Sequence, residues 1–192
     1  MRRPKTSSLP AILVVLALLP LVGGCREKGE TPLPPEANPP GVIPPGQAFA
    51  SYESAEGGYA LEAPEGWERI DDGPAVTFLD GPDGVGVAVR ESPTPPTAAS
   101  ARGLEAKQLE KSGRAAEILS VEDVTLPAGP AVVIRYTTNS DPDPATGKQL
   151  RVENRTILFH ANGRLAGLTL WSPQGADNEQ HWDRVAKSFR WL

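Results

Sequence analysis

Side chains able to bind a transition metal are scarce in this sequence. The 192 residues include two histidines, His160 and His181, and a single cysteine, Cys25. His160 ends a predicted strand and His181 lies on a predicted helix, and no HxxxH, HExxH or paired-cysteine motif is present. Zinc sites need three or four such ligands that converge. The pattern therefore predicts no metal site and no cofactor.

Two acidic residues, Asp141 and Asp143, begin a stretch that superficially resembles a calcium-binding loop. The loop pattern then needs an oxygen ligand where Ala145 stands, a glycine at the next position, and an acid where Val152 stands. We interpret the stretch as a solvated hairpin turn. Residues 145–148 (ATGK) likewise lack the first glycine and the Ser or Thr of a phosphate-binding loop.

The sequence gives little support for catalysis by a serine nucleophile or by a pair of carboxylates. No GxSxG motif surrounds Ser172 or Ser188. Adjacent acids occur at residues 71–72 and 122–123, where hydrated surface charge is the simpler interpretation. The sequence predicts a protein that is not an enzyme, and it leaves an unrecognised hydrolase as the third functional hypothesis.

One polar pattern remains. Arg151, Glu153 and Arg155 alternate along one face of a predicted strand, and Ile157 and Phe159 continue that face. A charge ladder at the open end of a strand whose other end is buried is the favoured interpretation. A patch that binds a partner protein is the alternative.

The chemistry indicated most clearly is modification of the cysteine. Residues 21–25 read LVGGC, and they follow a basic start, with Arg2, Arg3 and Lys5, and an apolar run over residues 9–22. Because a membrane-spanning helix needs about 20 apolar residues, this shorter run is typical of a secretory signal peptide. A transmembrane anchor is the alternative, and a small buried hydrophobe is the simplest interpretation of a lone cysteine.

The LVGGC sequence resembles the lipobox of bacterial lipoproteins, with Val22 three residues before Cys25. The resemblance implies that residues 1–24 are a signal peptide, that diacylglycerol is attached to the Cys25 sulfur, and that the chain is cut before Cys25. Two or three acyl chains anchor a protein stably, since each buried methylene contributes about 0.8 kcal/mol. We therefore expect lipid anchoring on the extracytoplasmic side of the cell membrane. Arg26, rather than an aspartate, follows Cys25, which indicates the outer membrane if the host has two membranes.

Charge argues against nucleic acid as a partner. After removal of residues 1–24, 16 Lys and Arg remain against 24 Asp and Glu, a net charge of −8. Such a chain is repelled by nucleic acid and gains nothing from anionic lipid, so the acyl chains must hold it on the membrane. With Cys25 lipidated no disulfide is available, but one domain of about 145 residues can bury an adequate core.

Residues 25–47 predict a lipidated cysteine and a proline-rich tether. Seven of residues 26–47 are proline and few are apolar, so the segment favours an extended polyproline form that takes no part in a core. At about 3.1 Å per residue it could reach on the order of 70 Å. A spacer is the favoured interpretation, and a proline-motif ligand is the alternative.

Residues 48–192 predict one α+β domain. Apolar alternation between turn sequences predicts eight strands, at residues 49–53, 59–63, 75–79, 85–90, 117–126, 131–138, 150–160 and 164–171. Their short connections favour antiparallel neighbours. Because strands such as residues 131–138 are apolar on both faces, the sheet needs helices on both faces.

Two helices are predicted to supply this cover. The first begins at an N-cap at Thr97 and runs to about Ser112, with Leu104 among its inward-facing residues. The second begins at Asp177, whose side chain is predicted to cap it. Its apolar stripe comprises Trp182, Val185, Ala186 and Phe189.

The domain resembles the family of the photosystem protein PsbP and the Ran-binding protein Mog. The resemblance rests on the opening YxLxxPxGW at residues 59–67, the order of elements after it, and the closing WxxVxxSF at residues 182–189. It implies an antiparallel sheet between helices and a role in protein binding or assembly. No partner-binding residue of that family is carried over.

These observations favour a membrane-anchored lipoprotein that presents a non-catalytic interaction domain to an envelope protein. A small-ligand or lipid carrier with a cavity between sheet and helix is the second hypothesis.

Overall fold

The computed structural model describes residues 30–192, so the predicted signal peptide and Cys25 lie outside the described residues. Within that range the chain forms ten strands and three helices. The strands are β1 Phe49–Ser54, β2 Tyr59–Pro64, β3 Glu68–Asp72, β4 Ala75–Asp80, β5 Asp83–Glu91, β6 Glu117–Leu126, β7 Gly129–Asn139, β8 Arg151–Ala161, β9 Arg164–Pro173 and β10 Arg190–Trp191. The helices are α1 Ala98–Gly103, α2 Glu105–Ser112 and α3 Glu179–Ser188.

Seven strands form one antiparallel sheet in the order β3-β4-β5-β9-β8-β7-β6, and β1, β2 and β10 form a smaller one. The connection through α1 and α2 carries the chain from β5 to the far edge. Strands β6 to β9 then return as consecutive hairpins until β9 pairs with β5. The predicted α+β class, an antiparallel sheet covered by helices on both faces, is confirmed.

Each face of the large sheet has its own apolar core. On one face α1 and α2 pack against β6 and β7, burying Ala101 near Val132 and Ile134. On the other face, α3 and the smaller sheet cover a larger core, in which Phe159 stacks on Phe189 with ring centroids 4.2 Å apart. The side-chain alternation along each strand assigns its residues to these two cores.

The single helix predicted to follow Thr97 is instead two short helices. Thr97 caps α1 as predicted, in a reciprocal pair with Ser100. The helix breaks at Leu104, directly after Gly103, whose low helix propensity weakens this point. The prediction that Leu104 faces inward is wrong. The break turns its side chain outward, leaving 63% of its surface exposed, while Ala106 is buried.

The predicted apolar stripe is buried: Trp182, Val185 and Ala186 lie in helix α3, and Phe189 is the C-cap residue that follows it. The predicted cap at Asp177 is wrong. The N-cap residue is Asn178, and its side chain makes no capping hydrogen bond. That amide is instead bonded to a distant part of the chain, as described below.

Two strands lie outside the sequence predictions. Strand β3 is an edge strand whose five residues are all exposed, so its polar sequence carries no apolar alternation. Strand β10 has two residues and exists because Arg190 and Trp191 reach β2 after the end of α3.

The proline-rich segment, residues 30–47, lies against the domain, and we call it the N-terminal segment. Its Ile43 side chain is 6% exposed. The prediction of a free spacer is therefore wrong for these residues, although neither apolar core includes them. A polyproline-like chain has no internal hydrogen bonds, so its backbone groups are available to side chains of the domain.

Candidate functional site

The structure places all three predicted strand residues, Arg151, Glu153 and Arg155, on the α3 face of β8. Arg151 and Arg155 are 3% and 4% exposed, and Glu153 is half-buried. Both guanidinium groups are thus engaged inside the domain. Burial, and then the negative charge of Glu179, raises the pKa of Glu153.

Arg155 joins β8 to α3. Its Nη1 donates to Asp183 Oδ1 at 2.8 Å, its Nη2 donates to Glu179 Oε1 at 2.6 Å, and its guanidinium lies 5.4 Å from the Trp182 ring centroid. Although burial acts to raise the pKa of Asp183, hydrogen bonds from Lys187 and Arg155 lower it below its ordinary value. The carboxylates hold the arginine under the helix, which indicates a structural role.

Arg151 organises the end of the sheet. It donates to the Ala115 carbonyl at 2.8 Å and to Asn139 Oδ1 at 3.0 Å, and it also bonds Thr137 and Glu117. Because one planar guanidinium makes all these bonds, it fixes the orientation of the Asn139 amide.

Asn139, 4% exposed, binds the start of the N-terminal segment. Its Nδ2 donates to the Thr31 carbonyl at 2.9 Å, and its Oδ1 accepts from the Leu33 N–H at 3.1 Å. Just before them, Glu30 accepts from Gln149 Nε2 at 2.8 Å and from Arg114 Nη2 at 3.2 Å. The Gln149 hydrogen bond is the main cause that lowers the pKa of Glu30.

Asn178, 1% exposed, binds the later part of the segment. Its Oδ1 accepts from the Ile43 N–H at 2.8 Å, and its Nδ2 donates to the Gly41 carbonyl at 2.7 Å. His181 Nε2 lies 3.1 Å from the Pro44 carbonyl oxygen. Two buried amides, at Asn139 and Asn178, therefore hold both halves of the segment.

A carboxyl group lies buried beneath this attachment. Asp83 is 4% exposed, and its Oδ1 is 3.3 Å from Asn178 Nδ2. Gly41 packs directly on it with φ of +85°, and any side chain there would collide with the carboxylate. Burial, followed by the charge of Asp80, raises the pKa of Asp83 to about 7.

An open groove of about 890 Å³ lies at the same end of the sheet, on the face opposite α3. We call this the Trp171 groove. Its floor is the neighbouring cross-strand pair Asn154 and Trp171, and its walls are the loop at residues 140–149, Pro82 and, from the N-terminal segment, Pro40. Helices α1 and α2 contact β6 and β7 and leave this part of the sheet open.

Two glycines shape the floor of the groove. The Trp171 indole lies flat over β5, and a Cβ at Gly84 would collide with it, while one at Gly86 would touch it. Asn154 Nδ2 donates to Thr138 Oγ1 at 3.1 Å, which holds the amide beside the indole. The result is an aromatic floor with polar neighbours and a rim that carries Asp141, Asp143 and Lys148.

The remaining candidates for chemistry lie apart from one another. His160 Nε2 is 2.9 Å from the Ser92 carbonyl oxygen, and Ser188 donates to the Val185 carbonyl at 2.7 Å. Asp143 accepts from the N–H groups of residues 145 and 146, as a hairpin-turn residue would. Within residues 30–192, no group of three or more His, Cys, Asp or Glu side chains could hold a metal ion.

The sequence analysis did not identify the Trp171 groove or the two buried asparagines. Glycines at positions 84 and 86 alternate with the valines of β5, which is a sign of close packing on the other face. The register that puts Trp171 over them joins segments far apart in the chain, so the sequence alone does not reveal it.

Neither a protein-family model nor a curated protein matches the sequence. Solved structures do. Cyanobacterial PsbP (CyanoP) from Synechocystis sp. PCC 6803 matches with a TM-score of 0.60 and 19% identity, over 76% of this chain and 94% of that one. The Ran-binding protein Mog1p of Saccharomyces cerevisiae matches with a TM-score of 0.51 and 11% identity, over 74% of this chain and 95% of that one. At these identities the similarity establishes a shared fold, the PsbP/Mog-like fold expected from the sequence.

Proposed function

We propose that this chain is a bacterial lipoprotein, anchored through Cys25 on the extracytoplasmic side of the cell membrane, whose domain binds another envelope protein without catalysing a reaction. The LVGGC sequence behind its apolar run is the observation that supports the anchor. The fold shared with Mog1p, a Ran-binding protein, supports protein binding. None of the helices in residues 30–192 has the length and apolarity needed to cross a membrane.

The Trp171 groove is the surface that best fits this role. Tryptophan is enriched among the residues that dominate binding energy at interfaces, and it contributes most where neighbouring groups exclude water. Here the indole is already held flat by the glycines of β5, so binding need not order it. Arg151 and Arg155, in contrast, are already paired within the domain.

Cross-linking in intact cells tests the proposal. A photo-reactive residue at Thr146, which lines the groove, should give a reproducible cross-linked protein, and one at Thr125, at the other end of the sheet, should not. Trp171→Ala should reduce the yield several-fold, whereas Leu104→Ala, an exposed apolar residue elsewhere, should leave it unchanged.

The anchor is tested separately by Cys25→Ala. The variant should lose membrane attachment and its lipid mass, and the cross-link from Thr146 should weaken as the local concentration of the domain falls. Recovery of Cys25→Ala in the membrane fraction, with a mass that differs from the wild type only by the substitution, would contradict lipidation of Cys25. Equal cross-linking from Thr146 and Thr125 would contradict the groove as the binding surface.

A ligand carrier is the second candidate, because the groove volume of about 890 Å³ lies within the range of small-molecule sites. Native mass spectrometry of the freshly purified protein distinguishes the two functions. An adduct that is absent from Trp171→Ala would favour the carrier, and a clean mass from several preparations would count against it.

A further inference from the structure

The N-terminal segment is fastened at separate points rather than resting loosely on the domain. Asn139 makes two backbone hydrogen bonds to it near its start, and Asn178 makes two more about ten residues later. Both asparagines are almost fully buried, and Ile43 is buried beside the second. Lys148 Nζ, 3.0 Å from Glu36 Oε1, adds an ion pair between them.

This attachment limits how far the domain can lie from Cys25. Among the described residues the attachment begins at Glu30, five residues after Cys25, and five residues span at most about 18 Å in any conformation. A wholly free tether would reach on the order of 70 Å. The docked segment therefore keeps Glu30 and its neighbours within about 18 Å of an anchor at Cys25.

The position of Glu30 decides which end of the domain is held near Cys25. Glu30 contacts Arg114, just before β6, and Gln149, just before β8, at the end of the sheet where β7 ends. The loop at residues 140–149, which forms one wall of the Trp171 groove, is at this end. The opposite end carries Thr125, and an 11-residue strand such as β7 separates the two ends by about 35 Å.

We propose that the N-terminal segment turns the loop at residues 140–149, and with it the mouth of the Trp171 groove, toward the lipid surface. This inference rests on the lipid anchor of the proposed function. The loop itself carries Asp141, Asp143 and Lys148, so it has no basic or apolar patch to bind lipid. The docked segment, and not attraction to lipid, sets the orientation. A partner in the groove must then be reached beside the membrane, which favours a membrane-bound protein.

Fluorescence transfer from the domain to labelled lipid headgroups tests the orientation. The lipidated protein, purified from membranes into lipid nanodiscs, carries a donor attached through a non-natural residue at Ala145 or at Thr125. We expect several-fold more transfer from Ala145, which lies in the loop near Glu30, than from Thr125. Equal transfer from the two positions would overturn the proposal.

A variant on the segment itself shows whether docking is the cause. Gly41→Ala places a methyl group against the Asp83 carboxylate at a positive φ, so it should displace the later part of the segment. Leu33→Pro removes the N–H that donates to Asn139 Oδ1 near Glu30, and both changes leave the apolar cores untouched. Leu33→Ala combined with Gly46→Ala, where nothing lies within 4 Å of the glycine, is the matched control. Transfer from Ala145 should fall toward that from Thr125 only in the double variant Leu33→Pro with Gly41→Ala. An unchanged difference in that double variant would show that the segment does not set the orientation.

A chemical anchor separates this inference from the proposed lipidation. Residues 25–192, which contain the whole described fold, can be coupled through the Cys25 thiol to a maleimide lipid in the same nanodiscs. If natural lipidation is absent but the coupled protein shows the expected difference between Ala145 and Thr125, the proposed function fails and the orientation stands. If natural lipidation is present but neither form shows that difference, the orientation fails.

Discussion

At the residue scale, Asp83 is a carboxyl group that is almost fully buried. Gly41 packs on it, Asn178 Nδ2 lies at 3.3 Å, and burial together with the charge of Asp80 raises its pKa to about 7. A carboxyl group whose pKa is raised in the folded state binds protons more tightly there than in the unfolded chain. Its contribution to the free energy of unfolding is therefore greatest in acid and is lost as the pH rises from about 4 to about 7.

Replacement of this carboxyl group should remove that pH dependence. Between about pH 4.5 and pH 8, the free energy of unfolding of Asp83→Asn should rise by about 1 to 4 kcal/mol relative to that of the wild type. Each pH unit between the unfolded and folded pKa values of Asp83 contributes at most about 1.4 kcal/mol. Urea unfolding at several pH values measures the difference. Asp72→Asn, at an exposed position, is the control and should keep the wild-type pH profile. Parallel profiles for Asp83→Asn and the wild type would contradict the raised pKa.

Arg151 supports a second residue-scale prediction, because its guanidinium fork cannot be replaced by a single ammonium group. Arg151→Lys should lose about 1 to 3 kcal/mol of unfolding free energy, since several bonds to buried acceptors are lost. Arg135→Lys changes an arginine whose side chain is 44% exposed, and it should cost less than about 1 kcal/mol. Denaturant titration compares them. Equal losses would mean that Arg151 does not organise this end of the sheet.

At the scale of elements, the strands with apolar alternation were predictable. The range predicted for β6 is the one observed, and β7, β8 and β9 differ by one or two residues at their ends. Strand β3 was not predictable, because an exposed edge strand of polar residues has no alternation to read. The break at Leu104 was missed because an apolar residue at helical spacing indicates burial only while the helix stays continuous.

The candidate site was less predictable than the fold. Alternation placed Arg151 and Arg155 on the face of Ile157, but the ion pairs of Arg155 depend on α3, whose Glu179 and Asp183 occupy neighbouring turns facing β8. The bonds of Arg151 depend on groups from distant parts of the chain, such as the Ala115 carbonyl and Asn139. Docking of the N-terminal segment was opposed by its composition, because proline-rich chains bury few side chains. Its attachment depends on backbone hydrogen bonds to two distant amides, and backbone groups leave no pattern in a sequence.

Asn178 illustrates how one side chain can serve a distant segment instead of its own helix. Asn178→Ser keeps a residue that caps helices well, but its side chain ends one bond short of the amide atoms that bond Gly41 and Ile43. We expect α3 to stay helical while the Ile43 amide loses its protection from hydrogen exchange. Asp177→Ser, at the exposed position before it, should change neither property. Retained protection of Ile43 in Asn178→Ser would show that other contacts suffice to dock the segment.

At the scale of the whole molecule, the N-terminal segment lies outside both apolar cores yet connects distant parts of the fold. Both clusters are built from residues of the domain, so residues 48–192 should fold without it. The segment adds the burial of Ile43, worth about 1.5 to 3 kcal/mol for a fully buried side chain, and it covers Asp83. Docking and the protonation of Asp83 are therefore linked events, with the docked state favoured in acid.

That linkage is testable as a cycle of deletion and substitution. Removal of residues 1–47 should lower the free energy of unfolding more at about pH 5 than at about pH 8, because only the protonated carboxyl group is accommodated beneath the segment without penalty. In Asp83→Asn the same deletion should lower the free energy of unfolding by an equal amount at both pH values. At about pH 8 the deletion should therefore cost about 0.5 to 3 kcal/mol more in Asp83→Asn than in the wild type, and this difference is the coupling between the two changes. With the proposed lipid on Cys25, a coupling of this size would make the distance between domain and membrane dependent on pH. A coupling near zero would mean that Asp83 is enclosed by the domain alone, and that its raised pKa has no bearing on how the segment docks.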